Sequence, residues 1–419
     1  MSDDTLSEST APAGSVARQG PGKAISLAIL LLCEVAAMSV WFSSASVVAL
    51  IRHSVPAAPR QIALLTSAVQ AGFVAGTVLS ALLSLADRYD PRRLFMASAL
   101  VAGAATGLLA CLPPVGIVVV CLRLLTGMCM AGVYPVGMRL AATWAKGDLG
   151  LLIGLLVGAL TLGSASPHLL AAAQGLDWRL IYGVAALCAA ASGALILCAG
   201  VGPNLVRAPR IDYGKAAQAW RQPALRLVNL GYLGHMWELY AMWAWLAVFL
   251  RQSFAATGLP NARTAAEELT FCAIAAGALG AWLGGWLADR LGRTTVTTGA
   301  MATSACCAAA MGWLFAAPVP VLVVVALLWG ISVIADSAQF SASVAELAEP
   351  ASIGTLLTVQ TCAGFLLTTV SIQLMPAVVG KLGWQGGFGM LALGPALGCI
   401  AMQRLRRQPQ AIRLAGGKR

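Results

Sequence analysis

Apolar runs of about 20 residues recur along almost the whole chain, and this feature restricts its fold more than any other. Each run is long enough to cross a hydrocarbon core ~30 Å thick as an α-helix. Lipid cannot satisfy backbone N–H and C=O groups, so runs of this kind form helices that bond internally. Of the 419 residues, 10% are charged, whereas soluble domains carry roughly 25% charged residues. The sequence therefore predicts an all-α membrane protein.

The apolar runs fall into two groups of six, which predicts twelve transmembrane helices. We expect the first group at 24–51, 60–85, 93–112, 115–142, 149–173 and 179–201. We expect the second group at 225–252, 267–288, 294–316, 319–345, 351–379 and 383–403. The predicted parts of the chain are a tail at 1–23, six-helix bundles at 24–201 and 225–403, a linker at 202–224 and a basic tail at 404–419.

The formal net charge of +11 follows the predicted topology. With a cytoplasmic N-terminus, 20 Lys and Arg residues lie on the cytoplasmic side of the spans and 6 lie on the opposite side. This bias is typical of cytoplasmic loops, so the charge does not indicate a nucleic-acid partner. We expect a multi-pass plasma-membrane protein with both termini in the cytoplasm. The three asparagines begin no glycosylation sequon, which is compatible with a bacterial inner membrane.

The sequence lacks the motifs of metal, nucleotide and enzyme sites. The eleven cysteines lie in apolar spans without a C-x-x-C pair, which is typical of packing residues. There is no Walker A sequence and no HExxH or GxSxG motif. We therefore expect no metal, no cofactor and no enzymatic activity.

The two halves of the sequence echo each other at a nearly constant offset. Leu-Ala-Asp-Arg stands at 85–88 and again at 287–290, an offset of 202 residues. Ile-Gly recurs at 153–154 and 353–354, an offset of 200, and Glu34 precedes Glu238 by 204. Repeats at one spacing indicate duplication of a six-helix unit.

These motifs resemble those of the major facilitator superfamily of secondary transporters, in its twelve-helix form. The second-half loop matches the family's G-x-L-a-D-R-x-G-R pattern with Gly285, Leu287, Ala288, Asp289, Arg290, Gly292 and Arg293. The first-half copy keeps Asp87, Arg88, Arg92 and Arg93 but has Leu83, Asp90 and Pro91 at other motif positions. In span four, Arg123 and Gly127 resemble the family's R-x-x-x-G element, whose arginine is implicated in proton coupling.

The resemblance implies a gating role for the two cytoplasmic loop motifs. A carboxylate just inside the membrane can accept a hydrogen bond from an arginine or a helix N-terminus across the seam between the halves. We expect such a contact to favour the outward-open state. Glycines at these positions permit a tight turn and close helix approach.

Four formally charged residues, Glu34, Arg123, Glu238 and Asp336, lie well inside predicted spans. Each costs roughly 2.5–3.5 kcal/mol at a helix centre on insertion scales. Such residues usually face the interior of the bundle and mark a substrate or proton path. His235 precedes Glu238 by one helical turn, so the two share a face of span seven.

We expect Glu34, Arg123 and Glu238 to form the binding and coupling core, with Glu34 or Glu238 opposite Arg123 and His235 tuning their protonation. Aromatic cavity walls are expected from Trp41, Tyr134, Tyr240 and Trp245. Each of these residues also has a structural interpretation, as an interhelix hydrogen bond, a packing residue or part of an interfacial belt. His168 is a possible gate residue near the outer end of span five.

The sequence thus favours a proton-coupled secondary transporter that moves a small solute by alternating access. Arg123 suggests a small organic anion or metabolite as the substrate. One alternative is a proton-driven drug or metabolite efflux antiporter, and another is a membrane sensor or scaffold that does not transport. The expected partners are the substrate, protons and the lipid bilayer, and we expect a monomer.

Overall fold

The computed structural model describes residues 21–47, 59–146, 148–173, 176–205, 213–349 and 352–418. The N-terminal tail and parts of the linker predicted at 202–224 lie outside the described residues. The described residues are almost entirely helical and contain no β-strand. This confirms the predicted all-α class.

The first half of the chain contains six long helical elements, which we number α1 to α6. They are α1 (Lys23–Met38), α2 (Pro59–Leu82), α3 (Pro91–Leu109), α4 (Ile117–Met130 and Tyr134–Ala142), α5 (Leu149–Ala172) and α6 (Trp178–Leu195). The single turn Leu85–Arg88 joins α2 to α3, and a 3-10 turn, Ile196–Cys198, extends α6.

The second half begins after the short helices Tyr213–Ala216 and Gln218–Arg221. Its elements are α7 (Pro223–Ala256), α8 (Ala262–Leu291), α9 (Arg293–Trp313), α10 (Val319–Ala335 and Ser337–Leu347) and the run Ile353–Arg406. That run bends at Gly383, which has a φ of 67°, so we number it α11 (353–382) and α12 (384–406). A 3-10 segment, Pro409–Gly417, follows.

Eight stretches within the described residues are long and apolar enough to cross a membrane. The longest, Ile353–Arg406, contains two of the expected spans, and α1, α7 and α9 occupy three more of the predicted positions. This is consistent with twelve spans. Three spans expected to be continuous are interrupted, at 39–42, at 131–133 and at Asp336.

Among the described residues, the most extensive contacts between the halves are those of α5 with α8 and of α2 with α11. Small residues permit the first contact: a Cβ placed on Gly158 would lie 3.5 Å from the Cβ of Ala278. Within the second half, Gly280, Gly284 and Gly330 bring α8 and α10 into backbone contact. Close approach of small residues is the usual way in which helices associate in lipid.

We call the end of the bundle that carries the two loop motifs the motif side, and the other end the opposite side. The start of α1, the α2–α3 loop and the start of α5 meet at the motif side, where Lys23 pairs with Asp148 at 2.6 Å. The opposite side contains the end of α5 and the start of α8.

Candidate functional site

Arg123 of α4 binds the break in α1 rather than a carboxylate. Its guanidinium donates to the carbonyl oxygens of Val40 (2.9 Å), Trp41 (2.6 Å) and Leu65 (3.1 Å), and to Ser43 Oγ (3.2 Å). The side chain is fully buried. Where a helix ends, backbone carbonyls lose their helical donors, and Arg123 supplies replacements here. The expected pairing of Arg123 with Glu34 or Glu238 therefore does not form in this structure.

Glu34 is a fully buried carboxylate with no hydrogen-bond partner in the part of the chain that the structure describes. Both of its carboxylate oxygens are buried and unpaired among the described residues. The carboxylate lies against α4, where a Cβ built on Gly137 would stand 2.7 Å from Oε2. Tyr134, at the start of the same helical segment, neighbours Glu34. Buried polar groups normally have partners, so this carboxylate is the outstanding candidate for binding a proton or a substrate.

Glu238 occupies the equivalent position in the second half, but its partners are already in place. Its Oε2 accepts from Ser304 Oγ at 2.8 Å, and its Oε1 accepts from Trp329 Nε1 at 2.7 Å. These bonds tie α7 to α9 and α10. The structure therefore distinguishes two glutamates that the sequence treats as equivalent.

His235 and Asp336 form a buried pair within the second half, separate from Glu238 and its partners. His235 Nδ1 lies 2.9 Å from Asp336 Oδ1, and both side chains are buried. Asp336 stands at the break of α10, while His235 packs against the rings of Tyr232 and Phe340. His235 thus contacts Asp336, whereas the hydroxyl of Ser304 and the indole of Trp329 bind Glu238.

Aromatic side chains from both halves pack together near the middle of the spans, and we call this cluster the aromatic plug. Its members are Trp41, Phe42, Phe73, Tyr240, Trp243 and Phe365. The ring of Tyr240 stacks on those of Trp41 and Phe42, with centroids 6.1 and 5.7 Å apart. Trp245 lies outside the plug and donates to the carbonyl of Ile372 at 3.2 Å.

The first-half loop motif is organised around Asp90. Its carboxylate accepts from the backbone N–H of Arg92 at 2.9 Å, which caps α3, and pairs with the Arg92 guanidinium at 2.8 Å. The hydrogen bond from Arg92 lowers the pKa of Asp90 below its ordinary value. Arg92 also donates to the carbonyl of Ala199 at 3.1 Å, and Arg88 is exposed. The side chain of Asp87 lies outside the described residues.

The second-half motif is engaged within its own half. Arg293 holds both oxygens of Glu346 at 2.6 and 2.9 Å and donates to Gln339 at 2.6 Å. The Asp289 side chain is 67% exposed and lies 3.9 Å from Arg293. In this structure its carboxylate therefore contacts its own half, and the expected bond across the seam is not made.

The motif glycines serve different purposes. Gly292 has a φ of 94°, as the expected tight turn requires. A Cβ on Gly285 would meet no atom within 4 Å, so the expected close helix approach does not occur there. Arg290 lies over the ring of Trp286, 3.6 Å from its centroid.

A buried pair of ionisable residues joins the two halves, and the sequence pointed to only one of its two members. His168 Nδ1 of α5 lies 2.6 Å from Glu267 Oε2 of α8, at the opposite side. On the other seam, Gln373 Nε2 of α11 donates to Ser67 Oγ of α2 at 2.7 Å. The sequence suggested a gate role for His168, whereas Glu267, the first residue of the span predicted at 267–288, was not singled out. Among the described residues, no group of three or more His, Cys, Asp or Glu is placed to hold a metal ion.

The sequence of residues 30–335 matches the family model described as Major Facilitator Superfamily. The chain belongs to this superfamily. It is therefore a multi-pass membrane protein and a secondary transporter rather than an enzyme.

Solved structures show the same fold at low sequence identity. The crystal structure of the nucleoside transporter NupG has a TM-score of 0.70 at 13% identity, covering 93% of this chain and 100% of that one. The human organic anion transporter MFSD10 (TETRAN) has a TM-score of 0.69 at 15% identity, covering 91% of this chain and 100% of its own. No curated protein has a significantly similar sequence.

Proposed function

We propose that this protein exchanges protons for a small organic solute, and that Glu34 binds the two in turn. The observation that carries this proposal is the fully buried Glu34 carboxylate, neither of whose oxygens has a partner among the described residues. An ionised carboxylate without a partner is strongly disfavoured in a low-dielectric interior. Glu34 is therefore neutral when the site is empty, and its proton leaves when a substrate supplies a donor or a positive charge.

This arrangement favours antiport over symport. A single carboxylate that is satisfied either by a proton or by a substrate donor makes the two compete for one site. In that case each substrate that binds releases a proton, which is the exchange expected of the efflux antiporter alternative. A symporter would require a second group to hold the proton while the substrate is bound.

The same contacts bear on the class of substrate. The organic-anion expectation rested on Arg123, whose guanidinium already serves three backbone carbonyls and Ser43. Tyr134 lies within range of an electrostatic interaction with Glu34 and, across the seam, with Tyr232 and Tyr240. A carboxylate beside tyrosine rings suits a solute with an apolar or aromatic body and an ammonium or hydroxyl donor.

The proposal includes an orientation. We place the motif side and both termini in the cytoplasm of a bacterial cell, on the distribution of Lys and Arg. The two six-helix bundles, 24–201 and 225–403, then move against each other as a monomer, with the solute bound between them.

Proton release on binding tests the proposal directly. Purified protein in weakly buffered detergent is mixed with ethidium as an aromatic cation, uridine as a neutral nucleoside or benzoate as an organic anion. We expect ethidium to release protons and to raise the unfolding temperature by mass action, and we expect benzoate to do neither. Glu34→Gln should abolish the release, while Glu268→Gln, at an exposed position of α8, should retain it.

The outcomes separate the alternatives. Stabilisation by uridine without proton release would support the pocket chemistry but contradict the exchange at Glu34. Stabilisation by benzoate alone would overturn the proposed substrate class. Proton release that persists in Glu34→Gln would remove Glu34 from the mechanism.

A further inference from the structure

The contact between His168 and Glu267 differs from the rest of the α5–α8 seam. Elsewhere along this seam small residues face each other, as where Gly158 faces Ala278 and Gly277 faces the methyl group of Thr161. His168 Nδ1 lies 2.6 Å from Glu267 Oε2, with side-chain exposures of 0% and 3%. The other ring nitrogen of His168 is buried and has no partner among the described residues.

The position of this pair relates it to movement between the halves. His168 lies one residue after Pro167, in the last turns of α5, and Glu267 lies in the second turn of α8. The hydrogen bond between Gln373 and Ser67 joins α11 to α2 on the other seam. Both polar contacts lie at the opposite side, beyond the aromatic plug, while Asp289 on the motif side is exposed.

The chemistry of the pair suits a contact between the halves that forms and breaks in each transport cycle. Burying a carboxylate and an imidazole costs desolvation, which their mutual attraction offsets only in good geometry. When the opposite side opens, water rehydrates both groups and returns that cost. A purely apolar contact would gain no hydration free energy when this side opens, and it would hold the closed state too strongly for repeated cycles.

We propose that His168 and Glu267 form the gate that holds the opposite side closed, and that the pair separates when this side opens to water. The gate acts through the balance between two conformations and needs no contact with the solute. It rests on alternating access in this transporter family and is independent of the role proposed for Glu34.

Hydrogen–deuterium exchange of the full-length protein in lipid nanodiscs tests this gate without a substrate. The variants are His168→Ala, Glu267→Ala, and the double variant His168→Gln with Glu267→Gln, whose two amides can hydrogen-bond to each other. The single variants should lower amide protection at 164–172 and 262–270 about tenfold or more, because each leaves a buried partner unpaired.

The decisive measurement is amide protection on the motif side. Opening one end of an alternating-access protein closes the other, so protection at 88–96 and 289–297 should rise in the single variants. A role confined to stability would lower protection at both ends. The double-Gln variant should return toward wild-type protection at both ends, because its hydrogen bond replaces the original contact.

A matched control uses another hydrogen bond at the opposite side. Trp384 Nε1 donates to Gln252 Oε1 at 2.8 Å, entirely within the second half. Gln252→Ala should therefore leave the balance between the two ends unchanged. Protection that falls at both ends, or that stays at wild-type values in both single variants, would overturn the gate. If His168→Ala does not fold, Glu267→Ala carries the same comparison.

Discussion

Nη2 of Arg123 donates a 2.6 Å hydrogen bond to the backbone carbonyl of Trp41, at the point where α1 breaks. The same guanidinium binds the carbonyls of Val40 and Leu65, so one side chain of α4 joins α1 and α2. The break directs the ring of Trp41 toward Tyr240 of the second half. An arginine expected to bind a substrate anion thus maintains the backbone that carries the aromatic plug.

Replacing Arg123 should test this structural role. Arg123→Lys should lower the unfolding temperature of the detergent-purified protein, because an ammonium cannot reproduce the fork that serves four acceptors. Each buried carbonyl left unpaired costs about 1–3 kcal/mol. Arg93→Lys, at an exposed position of α3, is the control and should melt as the wild type does. Normal melting with lost transport would favour the coupling role that the family resemblance implies.

A side chain at Gly137 should displace the Glu34 carboxylate. A Cβ at this position would lie 2.7 Å from Glu34 Oε2, and Gly137→Val adds two further methyl groups. We expect a folded protein that no longer releases protons when the solute binds, as measured by titration in weak buffer. In Gly183→Ala on α6, the new Cβ meets nothing within 4 Å, so binding should be normal. Unchanged proton release in Gly137→Val would contradict the placement of Glu34.

Two adjacent glycines of α8 offer a matched test of helix packing. A Cβ on Gly284 would overlap the backbone carbonyl of Ala335 on α10, whereas one on Gly285 meets nothing within 4 Å. Gly284→Ala should force the helices apart and reduce the yield of monodisperse protein in size-exclusion chromatography. Gly285→Ala should be neutral, or should stabilise the helix by up to ~1 kcal/mol. Equal yields would show that α8 and α10 do not pack this closely.

The ion pair at the start of α3 should make stability depend on pH. Because Arg92 lowers the pKa of Asp90, the ionised carboxylate stabilises the folded protein at pH values above its ordinary pKa of 3.8. This contribution is lost as the pH falls below that value. Asp90→Asn keeps a capping side chain but loses the ion pair. The variant should melt slightly below the wild type at pH 7, by no more than a few degrees, and the difference should shrink as the pH falls below 3.8. A difference that is constant with pH would exclude the ion pair as its cause.

The helix positions were largely predictable because each apolar run alone satisfies the length and polarity requirements of a bilayer. The interruptions of α4 at 131–133 and of α10 at Asp336 were not predicted. The α4 break has a local cause, because Pro135 has no N–H to bond the carbonyl of Ala131 and its ring crowds that carbonyl. No proline accompanies the α10 break at Asp336. The repeated Leu-Ala-Asp-Arg motif identified the family, but not the partners of Asp289.

The sequence by itself determined that the chain lies in a membrane, that it consists of two related halves and that a few ionisable groups are buried among its helices. Composition and spacing carry that information, since the bilayer acts on each segment separately. The tertiary structure decided that Glu34 has no partner within the described ranges while Glu238 is hydrogen-bonded, and that Arg123 holds backbone carbonyls. It also decided that His168 meets Glu267, 99 residues away. Such pairings depend on how distant helices pack, and a local pattern of residues does not encode which neighbour a buried side chain will face.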